Sequence, residues 1–381
     1  MTLVRHHIAA QTVAILLLIS GSSLAEDSRD LRAGMDASRD GEFEQAITFL
    51  SRAIDSGDLN ATDAGYALRM RGDAYLVRER YDESISDFTR LIELKPNFAD
   101  GYLGRGAAKS AKYDALAALE DYDLAVRVEP DLAPAHGRRC EVLAYLDRLA
   151  EALEACNRAI FIRVNDADYY FLRASIYMSL ADSEKAEQDI ADAMRLEPID
   201  HATLIRRGTL LQGLEKWDEA LADFDGAIEL APDAIAGYFA RANYFDAAKQ
   251  YSRAVDGYRT VIELEPDHSG SHNNSCYVLA KLGRTDEALS HCEKAIELRP
   301  TDPAYLDSRA YMRLRSGNYV QAIEDYDAAI SVFPEFSYAL YGRGVAKIRI
   351  GNEVGGRADI EAAKEVDSDI AQSMEDIDIR I

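Results

Sequence analysis

The sequence predicts an all-α solenoid, a line of ten helix-turn-helix hairpins, and three observations carry that expectation. Prolines recur at Pro96, Pro130, Pro198, Pro232, Pro266, Pro300 and Pro334, spaced by 34 residues or by twice that. In the register they set, two positions of every copy, the eighth and the twentieth, hold small residues. Between them apolar residues return three and four apart, as in "EALADFDGAI", the period of an amphipathic helix. A fixed period of this length marks units that bury their apolar faces against one another.

Residues 1–25 stand outside the repeats. A weakly basic "MTLVRHH" precedes the apolar "IAAQTVAILLLIS", and Ser23 and Ala25 supply small residues before "EDS". That order reads as a secretory signal peptide cleaved after Ala25. The apolar run falls short of the about 20 residues that a membrane span needs. With no second such run, the expected mature chain has no integral membrane segment. It is expected in an exported compartment, periplasm before extracellular medium, where disulfides persist.

The first repeat covers 27–60 and is separated from the rest by "ATDA". Nine copies then run without insertion: 65–98, 99–132, 133–166, 167–200, 201–234, 235–268, 269–302, 303–336 and 337–370. Residues 371–381, "AQSMEDIDIRI", are expected to form a short helical cap.

In every copy the small eighth and twentieth residues let two backbones approach closely. The twenty-seventh is alanine except at Leu91 and Val261, and the twenty-fourth is usually large, as at Phe88, Tyr122, Phe224, Tyr258 and Tyr326. Each copy therefore reads as two antiparallel helices joined near the fifteenth position by turns such as "RDGE", "KLGR" and "RSGN". Seven prolines end second helices. Pro134 and Pro303 stand in the first turn of the next helix, where a missing amide donor does little harm.

These residues, plain in "LIRRGTLLQGLEKWDEALADFDGAIELAPD", resemble the tetratricopeptide repeat, and the resemblance covers the chain from Asp27 to about Ile370. It implies a right-handed superhelix whose first helices line a concave groove. In that family the groove binds peptides or partner proteins through the second, fifth, ninth and twelfth positions. Here the expected partner-binding set is Phe171, Ile205, Phe239, Asn243, Asn273, Tyr277, Lys281, Tyr311, Arg315, Tyr341 and Arg349. Asn243 and Asn274 match asparagines of the carboxylate clamp found in chaperone-binding members. Phe239, Ala304 and Ser308 stand where that clamp has cations, which argues against capture of a carboxylate.

The only four cysteines fall at the eighth and twenty-fourth positions of repeats 4 and 8: Cys140 with Cys156, and Cys276 with Cys292. Elsewhere those positions pair a small residue with a large one lying over it. Structural disulfides are the expected reading. Open alternatives are a buried reduced pair and a metal site, since His136 and His272 precede Cys140 and Cys276 by one helical turn and His268 and His291 stand near the second set. Arginine recurs at the seventh position and aspartate at the twenty-third, from Arg71 and Asp87 to Arg343 and Asp359. An interhelical ion pair repeated along the solenoid is expected, with the partner repeat undetermined.

A formal charge of −24 disfavours nucleic acid as a partner, because such binding rests on neutralising phosphates. No GxSxG or HExxH occurs, and the glycines of "GYLGRGAAK" fall at packing positions rather than in a phosphate loop. The expected function is a non-enzymatic scaffold for protein interactions, with no cofactor. The alternative is an exported thiol- or metal-responsive protein using the two His-Cys-Cys sets.

Overall fold

The structure is a computed structural model that describes residues 29–375, 377 and 379. The expected signal peptide lies outside them. Among the described residues every regular element is helical, and no helix is long and apolar enough to cross a membrane.

Two compact units divide at Pro198. The first holds α1 (Arg29–Arg39), α2 (Phe43–Asp55), α3 (Ala61–Val77), α4 (Tyr81–Leu94), α5 (Ala99–Ala111), α6 (Ala115–Val128), α7 (Ala133–Tyr145), α8 (Leu149–Ile162), α9 (Ala167–Ser179) and α10 (Ser183–Leu196). The second holds α11 (His201–Gly213), α12 (Trp217–Leu230), α13 (Ile235–Ala247), α14 (Tyr251–Leu264), α15 (Ser269–Lys281), α16 (Thr285–Leu298), α17 (Pro303–Arg315), α18 (Tyr319–Val332), α19 (Ser337–Arg349), α20 (Glu353–Val366) and α21 (Ile370–Glu375). From α1 to α20, odd and even helices are the first and second helices of the expected repeats, and α21 follows the last of them. Within a unit the two helices of a hairpin pack most extensively on each other, and each second helix packs next on the first helix of the following repeat.

The small residues do what their spacing predicts. Ala118, Ala152, Ala186, Ala220, Ala254, Ala288 and Ala322, all at the twentieth position, are fully buried between helices. At the eighth position a Cβ on Gly72 would stand 2.9 Å from the Phe88 ring, and one on Gly106 2.7 Å from Tyr122. The ring thus fills the space its own repeat's glycine leaves. It also reaches forward: a Cβ on Gly104 would collide with Phe88, and one on Gly342 with Tyr326. One buried aromatic therefore ties its hairpin to the next, which is how an array without a central core holds together.

The four residues between repeats 1 and 2 are not a linker. Asn60 caps α3, its side-chain oxygen accepting from Thr62 N at 2.9 Å and Asp63 N at 3.0 Å. "ATDA" thereby becomes an added first turn, and α3 reaches 17 residues where most repeats have helices of 13 or 14.

Every hairpin turn has a left-handed residue at the fifteenth position. Four are the glycines Gly41, Gly283, Gly317 and Gly351; six are Glu79, Tyr113, Asp147, Ala181, Glu215 and Lys249, with φ between 56° and 64°. The amide after each closes back on the first helix, as Asp182 N does on Tyr177 O at 2.9 Å. A residue with a Cβ is disfavoured in this region. Ala181→Gly should accordingly stabilise the first unit by about 1 kcal/mol in urea titration, because relief of that strain outweighs the added freedom of the unfolded chain.

The arginine ladder answers which repeat supplies each carboxylate. Arg71 grips Asp87 of its own repeat through Nε and Nη2, both at 2.7 Å. Arg105, Arg173, Arg207, Arg309 and Arg343 hold Asp121, Asp189, Asp223, Asp325 and Asp359 the same way. The remaining Nη1 reaches back to the twenty-fifth position of the preceding repeat, at Ser51 (2.8 Å), Asn157 (2.6 Å) and Asp327 (2.6 Å) for Arg71, Arg173 and Arg343. Arg139 and Arg241 have Ala155 and Gly257 at the twenty-third position of their own repeats and bind Asp123 and Asp225 of the previous ones instead. Where the twenty-third residue is aspartate the guanidinium fork thus fastens its own second helix, at Arg71, Arg173 and Arg343 together with the one before it, whereas Arg139 and Arg241 fasten the one before.

Candidate partner-binding face

First helices of neighbouring repeats touch: α1 with α3, α3 with α5, α5 with α7 and α7 with α9 in the first unit, and α11 with α13, α15 with α17 and α17 with α19 in the second. Second helices do not approach one another to that extent. Closer spacing of the first helices puts them on the inside of each unit's curvature, so their outward-facing side chains form its inner face.

Of the expected partner-binding residues, Phe171 alone stands in the first unit, on α9, and it is buried. The others lie in the second unit. Ile205 on α11 and Phe239 on α13 are half-buried, and the Phe239 ring sits 5.0 Å from His268 and 5.9 Å from Tyr258. Asn243 Oδ1 accepts from the Tyr258 hydroxyl at 2.8 Å and from Asn274 Nδ2 at 3.0 Å. The chain of bonds continues as Asn273 Nδ2 donates to Asn274 Oδ1 at 3.3 Å, and among the described residues the buried Asn273 Oδ1 meets no donor. The two asparagines that match the carboxylate clamp are therefore committed to each other, consistent with the missing cations beside them.

Farther along, Lys281 Nζ lies 4.1 Å from the centre of the Tyr277 ring and 5.0 Å from that of Tyr251, and 3.4 Å from Asp246 Oδ1. Tyr277 packs on Tyr311 with ring centres 5.1 Å apart. The result is a cation held between aromatic faces, half-buried and open to the inner side. Burial pulls Lys281 below the usual lysine value, opposed by Asp246. Arg315 and Arg349 are exposed, whereas Tyr311 and Tyr341 are buried at 2% and 3% exposure. Phe171, Asn273, Tyr311 and Tyr341 thus differ from the expectation of ligand-facing groups: neighbouring helices, or the segment after α21, already cover them.

Burial also raises Asp307, on α17 beside these rings, to about 7. Since an unfolded aspartate titrates near 3.9, the folded chain binds more protons between the two values. Stability from this group falls as pH rises from about 4 through about 7, and the loss is complete above that. Asp307→Asn should melt higher than the parent at about pH 8, with the difference shrinking towards pH 5; a constant difference would contradict the assignment.

The histidines beside the cysteines have a structural use. His136 Nε2 lies 2.9 Å from Pro130 O, and His272 Nε2 lies 2.9 Å from Pro266 O. Tyrosines at the same position do the same in other repeats, Tyr102 donating to Pro96 O at 3.1 Å and Tyr170 to Val164 O at 3.0 Å. His272 Nδ1 further meets His291 Nδ1 at 3.0 Å. Among the described residues no three His, Cys, Asp or Glu side chains converge as a metal-holding group. In repeats 4 and 8 the cysteine pairs stand with Cα atoms 5.4 and 5.1 Å apart, inside the range that permits a disulfide.

Asp246 and Tyr251 complete the Lys281 site and were not singled out from sequence. Asp246 occupies the twelfth position, one of those the family uses, and could have been found there; Tyr251 comes from a second helix and had no such signal.

A family profile described as tetratricopeptide repeat matches residues 31–99, 238–303 and 309–369, and a second of the same description matches 167–200. Rat serine/threonine-protein phosphatase 5 is 39% identical over 90 residues, which are 24% of this chain and 17% of that protein. Human mitochondrial import receptor subunit TOM70 is 25% identical over 177 residues, 45% of this chain and 29% of that protein. The chain thus spans between 17% and 31% of the length of the curated relatives it matches. The solved structure of yeast Tom70 superposes over 92% of this chain and 93% of its own with a TM-score of 0.53 at 16% identity, a likeness of fold. By its repeat signature, its stacked hairpins and these matches, the chain belongs to the tetratricopeptide repeat family.

Proposed function

We propose that the protein is a non-enzymatic interaction scaffold that binds an extended segment of a partner protein on the inner face of its second unit. The observation that carries this reading is Lys281 held between the half-buried Tyr251 and Tyr277 rings, beside the Asn243–Asn274 pair. Aromatic faces, a held cation and amides along one wall suit a peptide through both apolar and hydrogen-bonding contacts. Relatives with a receptor role, such as human TOM70, favour the same class of function. The reading includes export, periplasmic by preference, and oxidised cysteine pairs. Affinity capture from that compartment with the parent and with Lys281→Glu combined with Arg315→Glu tests it. Partners retained by the parent should be lost from the variant, and equal recovery would reject this face.

A further inference from the structure

The inner faces of repeats 9 and 10 differ from those of the other eight. At the ninth position Met35, Asp73, Ala107, Glu141, Ser175, Thr209, Asn243 and Tyr277 are half-buried, whereas Tyr311 and Val345 are 2% and 3% exposed. The chain beyond α21 accounts for the contrast. That helix packs on α19 and α20 and stops at Glu375. Ile377 N and Ile379 N then both turn back on Met374 O, at 3.3 and 2.9 Å. Ile377 O accepts from the Tyr311 hydroxyl at 3.2 Å and from Arg315 Nη1 at 3.3 Å, both on α17. α17 lies one repeat beyond α19, so the segment passes over the inner side of repeat 10 to reach repeat 9. Ile379 is 3% exposed and packs in one cluster with Tyr311, Tyr341, Val345 and Met374.

This is how a groove reads a peptide. A backbone carbonyl is held by two donors whatever the side chain, and apolar residues two apart fill the floor. In the sequence after α21, Ile377, Ile379 and Ile381 stand among Asp376, Asp378 and Arg380. We infer that the inner face of repeats 9 and 10 is a peptide-binding site whose resident ligand is the chain's own Ile377–Ile379 segment. A partner entering there presents a carbonyl flanked by apolar residues two apart, in a turn like that at Ile377, and displaces that segment. The inference deepens the proposed function and rests on the same inner face.

The probe is a fluorescein-labelled peptide of residues 370–381, titrated by anisotropy into a chain ending at Asp369 and into the full chain. A tethered segment competes at an effective concentration of order millimolar, so the full chain should bind the peptide about tenfold more weakly than the shortened one. Should shortening unfold repeat 10, the full chain carrying Ile377→Glu and Ile379→Glu serves instead, and it should bind the peptide more tightly than the parent. Tyr311→Phe in whichever form binds should weaken the peptide without lowering the melting temperature. Equal binding by the released and parent chains, or none by a folded released chain, overturns the inference. Neither result depends on partner recovery by the Lys281 and Arg315 variant, so the two readings fail separately.

Discussion

Asp87→Ala should destabilise the first unit by about 3–5 kcal/mol, read as a lower urea midpoint. Asp87 and Arg71 are both nearly out of water, with side chains 3% and 10% exposed. Their bond is bidentate, and removing the carboxylate leaves a buried guanidinium with Ser51 Oγ as the one hydrogen bond of its fork that remains. The loss is large because the orphaned charge has little access to solvent, and not because the pair itself contributes that much. Two controls separate these causes. Asp82 pairs with Lys112, but the two side chains are 80% and 42% exposed, so Asp82→Ala should fall within about 0.5 kcal/mol of the parent. Replacing Arg71 with Met and Asp87 with Leu together removes both charges and should recover most of the loss. If the double replacement is as unstable as Asp87→Ala, the cost belongs to the pair and the burial account is wrong.

What could be read from sequence was what sterics impose on every copy. A ring at Phe88 or Tyr122 needs a glycine opposite, at Gly72 or Gly106, and that requirement writes itself into the repeat. The arginine ladder was legible as a ladder but not as connections. An aspartate at the twenty-third position of the same repeat and one at the twenty-fifth of the previous repeat both stand 16 residues away, as Asp359 and Asp327 do from Arg343. Spacing is silent between them, and the guanidinium has edges enough for both. The left-handed turn was visible at Gly41, Gly283, Gly317 and Gly351 but not at Glu79 or Lys249, whose side chains give no sign of positive φ.

The inner face was the least legible part. Which of Phe171, Tyr277 and Tyr311 meets solvent depends on what lies beside it, and neighbours vary where the repeat does not. The segment after α21 shows this most clearly. Read as a continuing helical cap, it gave no reason for Tyr311 to be covered. The helix ends at Glu375 and Ile377 stands in a turn whose carbonyl meets Tyr311, a change of direction that residue spacing does not announce.

Reducing the Cys140–Cys156 crosslink, if both pairs are oxidised as proposed, should cost the first unit about 3 kcal/mol, because a loop closed over a sequence separation of 16 restricts the unfolded chain by that amount. Dithiothreitol should lower the melting temperature, and thiol titration of the unfolded, unreduced protein should find none. Loss of packing could imitate this result, since both sulfurs are fully buried where other repeats place a ring over a small residue. A swap within the repeat distinguishes the two. Cys140→Gly with Cys156→Tyr rebuilds the arrangement of Gly106 beneath Tyr122 and keeps the space filled without a covalent bond. If the crosslink carries the stability, the first unit of the swapped chain should melt like that of the reduced parent and ignore dithiothreitol, which still acts on Cys276–Cys292 in the second unit. If packing carries it, the swapped chain should match the oxidised parent, and the four cysteines would then be only another way of filling the gap that tyrosine fills in repeats 3, 7 and 9.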